Sequence, residues 1–229
     1  MENITKSHTI DGFEEERRAI LAECLVLAPF DGWTAGMLRN AAITAEVDPA
    51  AVRAAFPKGV SDVLRFWSGE ADRAMVGAMA APGFAEKRIR DKVADAVLAR
   101  IEALAPHKEA ARRAAAYLAA PPLSPFEGPP LAAKLAWTSA DAIWRGLGDK
   151  STDFNFYSKR AILSGVLVST MARWLADDSA DGAATDAFLA ARIENVMQIE
   201  KAKAQVRKLG IDPVAPIGWL ARLRYPAGH

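Results

Sequence analysis

Apolar residues return at intervals of three and four along most of the chain, the spacing that lines one face of an α-helix. Glycine, proline and short polar turns separate the runs. Residues 13–30 read as a first helix, with Ile20, Leu21, Cys24, Leu25 and Leu27 on its apolar face, and Asp31-Gly32 stops it. Thr34 is placed to cap a second helix that reaches about residue 45 and turns Met37, Leu38, Ala41 and Ala42 inward. Asp48 caps a short third helix and Pro49 suits its first position, where a missing N–H is harmless. Three helices of these lengths, the last two joined by a tight turn, predict a helix-turn-helix unit.

Beyond Pro57-Lys58-Gly59 the periodicity predicts longer helices. Residues 61–80 place Leu64, Trp67, Ala71, Ala74, Met75 and Ala78 near one face. Residues 86–105 form another, whose apolar face includes Arg100 among Val93, Ala96, Val97, Ile101 and Leu104. Residues 109–120 are short and alanine-rich, and 121–130 hold five of the thirteen prolines, a density that predicts a loop. In 131–147, Trp137, Asp141 and Trp144 share a face, a pattern that suits either a cavity wall or core aromatics beside a surface acid. Residues 155–176 are apolar nearly all round, so both sides of that helix are expected to be covered. One stripe there is small (Ala161, Gly165, Ser169, Ala172, Ala176) and predicts close helix packing across a dimer. The rest, including Leu163, Leu167, Met171 and Trp174, predicts core or pocket wall. A final long helix, 183–208, turns Phe188, Leu189, Ile193, Val196, Met197 and Ile199 inward. The fold class is therefore all-α. A unit over 13–80 contains the helix-turn-helix, a larger helical ligand-binding and dimerisation region spans 81–209, and a tail spans 210–229.

The tail carries Ile217, Trp219, Leu220 and Leu223 on a wide apolar arc, with Arg222 opposite and Arg224 able to snorkel. From Lys201 to His229 six Lys/Arg face one acid, Asp212. That is the composition of a helix lying on an anionic membrane surface, where each cation contributes about 1 kcal/mol. The competing reading is a terminal segment packed on its own protein.

Composition narrows the function. A chain of 229 residues with net charge +1 has no general attraction for nucleic acid. Between Thr34 and Lys58 three basic residues (Arg39, Arg53, Lys58) stand against two acids (Glu46, Asp48), and the third helix offers only Arg53 to read bases. DNA is not an expected partner. The single Cys24 fits a core position, and His8, His107 and His229 have no ligand spacing. No Glu-x-x-His pair, Gly-x-Ser-x-Gly elbow or strand-borne glycine fingerprint is present, so catalysis and a bound cofactor are not expected. The first sixteen residues lack a signal-peptide run, and no apolar stretch is long enough to span a bilayer. The expectation is a cytoplasmic protein of bacterial source, held peripherally at the inner membrane.

Residues 148–160 combine a helix stop, capping side chains, three aromatics in four positions and two adjacent cations. The pattern suits a docking platform or a well-capped helix whose aromatics enter the core. The run Ser-Thr-Asp-Phe-Asn-Phe-Tyr-Ser-Lys-Arg-Ala, preceded by Gly148-Asp149, resembles the signature of the ninth-numbered accessory-protein family of coenzyme Q (ubiquinone) biosynthesis. The likeness extends over about 13–209 and is weaker around 81–130. Gly-Trp-Thr and Ala-Phe-Pro-Lys-Gly also resemble the start of TetR-type repressors. The resemblance implies a TetR-like fold, pairing as a homodimer through the last two long helices, and binding of an isoprenoid quinone precursor or another lipid. It further implies docking of a ubiquinone-pathway ring hydroxylase through positions that match Asp153, Phe156, Tyr157 and Arg160, with Phe156 standing where eukaryotic relatives have tryptophan. Trp67, Trp137, Trp144, Leu163, Leu167, Met171 and Trp174 are the candidate lipid contacts. The alternative function is a TetR-type transcriptional regulator that senses a hydrophobic ligand.

Overall fold

The computed structural model describes residues 2–121, 128–152, 154–179 and 181–208, and their side chains apart from those of 2–12, 154 and 199–208. All regular structure among them is helical. The order is α1 (Glu2–Asp31), α2 (Ala35–Thr44), α3 (Pro49–Ala55), α4 (Val60–Met79), α5 (Ile89–Leu104), α6 (Lys108–Ala119), α7 (Gly128–Gly146), α8 (Phe154–Leu175) and α9 (Ala183–Lys208). A 3-10 turn, Ala105–His107, joins α5 to α6. No helix among the described residues is long and apolar enough to cross a membrane.

Local signals set most boundaries. Thr34 accepts a bond from the Met37 N–H at 3.0 Å and Asp48 one from the Ala50 N–H at 2.7 Å, so both expected caps form. The turn between α2 and α3 closes without glycine. The Glu46 N–H donates to Ile43 O and the Val47 N–H to Ala42 O, which puts Glu46 in the left-handed region at φ 55°. After α7 the same pair of bonds recurs, Gly148 N–H to Arg145 O and Asp149 N–H to Trp144 O, and there glycine occupies the left-handed position at φ 75°.

Three starts lie well away from expectation, the others within a residue. α1 begins at Glu2 rather than 13, because its first turns contain no proline to break them, although the apolar period starts only near residue 13. α5 begins at Ile89 rather than 86, since Phe84 is buried and holds the preceding turns against the core. α7 begins at Gly128, with Pro129 and Pro130 inside it. Prolines in a first turn remove only N–H groups that have no intrahelical partner.

One core runs through all of this. Ile20 and Cys24 of α1, Met37 of α2, Val63 and Met75 of α4, Val97 of α5, Ile143 of α7 and Leu189 of α9 belong to a single buried cluster. Trp33 joins distant parts of it: its indole stacks on Trp67, centroids 5.6 Å apart, and its Nε1–H donates to Ala110 O at 3.0 Å. Burial pushes the Cys24 thiol up to about 12, with Glu23 adding to it, so this cysteine is a core residue. On α4 the buried face is rotated from the expected one. Ala74 and Ala78 are exposed, and Asp72 and Met79 are buried. On α9 Leu189 is buried and Phe188, Ile193, Val196 and Met197 are half-buried, while the Ile199 side chain lies outside the described residues.

α8 is covered on one side only. Leu163, Val166, Leu167, Thr170 and Trp174 are buried, but Ala161, Gly165, Val168 and Ala172 face outward, with Val168 55% exposed. The expectation that both sides are covered does not hold within the single chain.

Candidate functional site

Five helices line an open-sided cavity of about 740 Å³. The reason it stays open is side-chain size. Ala111, Ala114 and Ala115 of α6 face Ala132, Ala133 and Ala136 of α7 across it. Methyl groups at these positions leave a gap that leucines would fill. Leu64 and Trp67 of α4, Leu104 of α5 and Leu167, Met171 and Leu175 of α8 complete the apolar wall. The α4 and α5 side is buried, whereas Ala119, Pro129, Ala133, Val168 and Ala172 on the opposite rim are exposed. The volume lies in the range of small-molecule sites.

Of the seven residues expected to touch lipid, Trp67, Leu167 and Met171 line this cavity. The other four do not. Leu163 lies one turn before Leu167, in the closed core. Trp174 is buried away from the hollow, with Lys108 Nζ 5.6 Å from its ring centre. Trp137 and Trp144 point off the cavity face of α7, which Ala132, Ala136 and Ser139 define. Trp144 Nε1–H donates to Lys159 O at 3.2 Å, and Trp137 stands 6.3 Å from the Tyr157 ring. The sequence pattern placed tryptophan at helical spacing but could not tell which side of α7 faced the hollow.

One polar group stands in the wall, and it was not anticipated as a site. Arg100 Nε–H donates to Asp72 Oδ1 at 2.8 Å and to Ser139 Oγ at 3.1 Å, and Nη2 donates to Ser68 Oγ at 2.8 Å. Arg100, Ser68 and Ser139 line the cavity, while Asp72 sits behind them. The available signal was an arginine on an otherwise apolar helix face.

The second cluster sits where α7 hands over to α8. Asp149 receives Lys159 Nζ at 2.7 Å, Ser151 Oγ at 2.5 Å and Arg160 Nη1 at 3.2 Å. Arg160 Nε–H also donates to Asp141 at 2.6 Å, and Asp141 takes Arg145 on its other oxygen at 2.8 Å. The Lys159 bond, then that of Ser151, and the Arg160 bond hold the Asp149 carboxyl well below the usual carboxylate range. Arg160 is only 2% exposed and its guanidinium lies 3.5 Å from the Phe156 ring centre. Arg160, expected as a partner contact, is therefore placed inside the protein. A guanidinium surrounded by two carboxylates and a ring is a brace and has no surface to offer. Tyr157 is 61% exposed, Phe156 is half-buried at 5.1 Å from it, and Asp153 lies outside the described residues. The expected membrane contacts Ile217, Trp219, Leu220, Arg222, Leu223 and Arg224 also lie outside them.

Fold and site together define an all-helical protein with an alanine-walled cavity and an aromatic surface braced by buried ion pairs. Residues 130–200, which hold nearly all of α7, the whole of α8 and that brace, match the family model described as COQ9. Over 207 residues the chain is 31% identical to the ubiquinone biosynthesis protein COQ9, mitochondrial, of Rattus norvegicus, covering 86% of this chain and 64% of that protein. The Bos taurus protein of the same name is 30% identical, covering 86% and 62%. The Homo sapiens protein is 29% identical over 204 residues, with the same coverage of 86% and 62%. Most of the chain thus resembles COQ9 proteins, and its α7–α8 region carries the match to the COQ9 family model. It spans a little under two thirds of the length of these relatives. They are mitochondrial proteins of animals, and the expected bacterial source is not borne out by them.

Proposed function

We propose that the protein is a non-catalytic, lipid-binding accessory of ubiquinone biosynthesis, which takes an isoprenoid quinone precursor from a membrane surface and delivers it to a ring hydroxylase. The observation that carries this reading is the cavity: about 740 Å³, walled by alanine and leucine, open along α6, α7 and α8. An isoprenoid tail is almost insoluble in water, and covering it in such a hollow removes the apolar area that opposes transfer. The exposed Tyr157, flanked by Phe156 and Trp137, is the surface offered to the hydroxylase. The tail 210–229 holds the chain on the membrane at which ubiquinone is made, and the outward stripe of α8 pairs two copies in a TetR-like manner. The relatives' names, ubiquinone biosynthesis protein, support the pathway.

Extraction of the purified protein with organic solvent, followed by mass spectrometry of what is released, tests the reading. A co-purifying prenylated ring compound, or uptake of one from vesicles by the emptied protein, is expected. Failure to release or take up any apolar ligand overturns it. A salt-sensitive gel shift on the DNA upstream of its own gene would favour the regulator instead.

A further inference from the structure

Among the described residues that line the cavity one side chain is charged, and its charge is already paired. Among the lining residues only Arg100 is ionised, and Asp72 holds its Nε at 2.8 Å from the side away from the hollow. Both residues are 8% exposed. Arg100 therefore brings to the cavity N–H donors without net charge, flanked by the hydroxyls of Ser68 and Ser139. The Ser139 hydroxyl itself donates to Leu135 O at 3.1 Å, and Met171 Sδ stands 4.0 Å from Arg100 Nη1. A thioether is a weak acceptor, so an oxygen in its place would make the stronger bond.

A neutral donor site in an apolar wall selects its ligand by charge. A carbonyl, ether or phenol oxygen can take an N–H or O–H bond there and brings no charge with it. A carboxylate or phosphate would add negative charge to a neutral group in an apolar wall. That costs desolvation with nothing left to offset it. We infer that the Arg100–Ser68–Ser139 group is the polar anchor of the cavity and takes an uncharged oxygen of the ligand's head group, so that neutral ring-headed prenyl lipids bind and anionic lipids of equal length are rejected. The inference rests on the lipid-binding reading and names the chemistry of its ligand. The head lies against the buried α4 and α5 wall and the tail runs toward the exposed rim, so the head is shielded from water until the ligand leaves.

Three ligands with one tail separate the contributions: farnesyl-1,4-benzoquinone, farnesene and farnesoic acid, each titrated by quenching of tryptophan fluorescence, with Trp67 in the cavity wall as a reporter. Asp72→Asn leaves the guanidinium uncompensated. Its affinity for the acid, relative to the quinone, is expected to rise about tenfold or more. Arg100→Met with Asp72→Leu replaces the whole pair by apolar side chains, a change that buried pairs often tolerate. In that variant the quinone-to-hydrocarbon affinity ratio is expected to fall about tenfold while farnesene binds as before. Ratios unchanged in both variants, or a wild-type protein that prefers the acid, overturn the inference and leave the carrier reading standing. Binding of none of the three ligands overturns both.

Discussion

Arg160 is held against Asp149, Nη1 to Oδ2 at 3.2 Å, with the two side chains only 2% and 7% exposed. The pair fastens the first turns of α8 to the loop that leaves α7. Replacing Arg160 by Met leaves Asp149 with Lys159 and Asp141 with Arg145, so neither carboxylate is stranded. The loss is still that of a buried guanidinium with three anchors, and about 3 kcal/mol of stability is expected to go, the lower end for breaking a buried ion pair. Urea unfolding followed by circular dichroism measures it. A midpoint equal to wild type would show that the brace contributes nothing.

Acid should weaken the fold through two carboxyls. Asp149 is lowered by the hydrogen bond from Lys159 above all. Asp177 is lowered first by Ser179, whose Oγ donates at 2.6 Å, and then by Thr185, whose Oγ1 also donates at 2.6 Å. Both pKa values are lower folded than unfolded, so the unfolded chain binds more protons once pH nears about 3.9. Their stabilisation is fully present above that value and is lost as pH falls through the folded values. Urea midpoints should be flat from pH 7 to 5 and drop below about 4. In D149N/D177N the drop should be shallower, and an unchanged acid slope would count against this assignment.

Glu46 is the one non-glycine residue with positive φ among the described residues, at 55°. A side chain in the left-handed region costs about 1–2 kcal/mol, and glycine's extra unfolded-state entropy returns about 0.5–1 kcal/mol of that. Glu46→Gly is therefore expected to stabilise by about 0.5–1 kcal/mol, a rise of about 1–4 °C in Tm for a chain of this size. Differential scanning calorimetry reads it directly, and a lower Tm would refute it.

These cases show what the sequence made legible. Capping is chemistry within a few residues, so Thr34, Asp48 and Gly148 could be placed from their neighbours alone, and so could the helices they bound. The site depends on which faces meet across long stretches of intervening chain. Nothing near Ala111 or Ala136 says that methyl groups oppose each other, and nothing near Asp72 says that it backs Arg100. At Arg160 the resemblance implied a surface contact, whereas the residue pattern alone left a capped, core-facing helix open. The partners that bury it, Asp141 and Asp149, lie on the preceding helix and loop. At Arg100 the clue was present and pointed the right way: a guanidinium on an apolar face must have a partner, and here that partner lies behind the cavity wall.

If the hollow exists because α6 and α7 are walled with alanine, then adding volume there should abolish it without damaging the core. Ala136 is half-buried and lines the cavity. A phenylalanine at this position can turn into the void rather than into packed atoms. Overpacking a filled core costs about 1–3 kcal/mol, whereas filling a gap recovers apolar contact and should leave stability within about 1 kcal/mol of wild type. Ala136→Phe is accordingly expected to keep its urea midpoint and to lose at least tenfold in affinity for a prenylated quinone, roughly the loss of one well-made polar contact or two buried methylenes. Two outcomes would refute this. Full affinity would mean that the ligand sits elsewhere, and a loss of several kcal/mol of stability would mean that the space between α6 and α7 is already occupied by packed side chains.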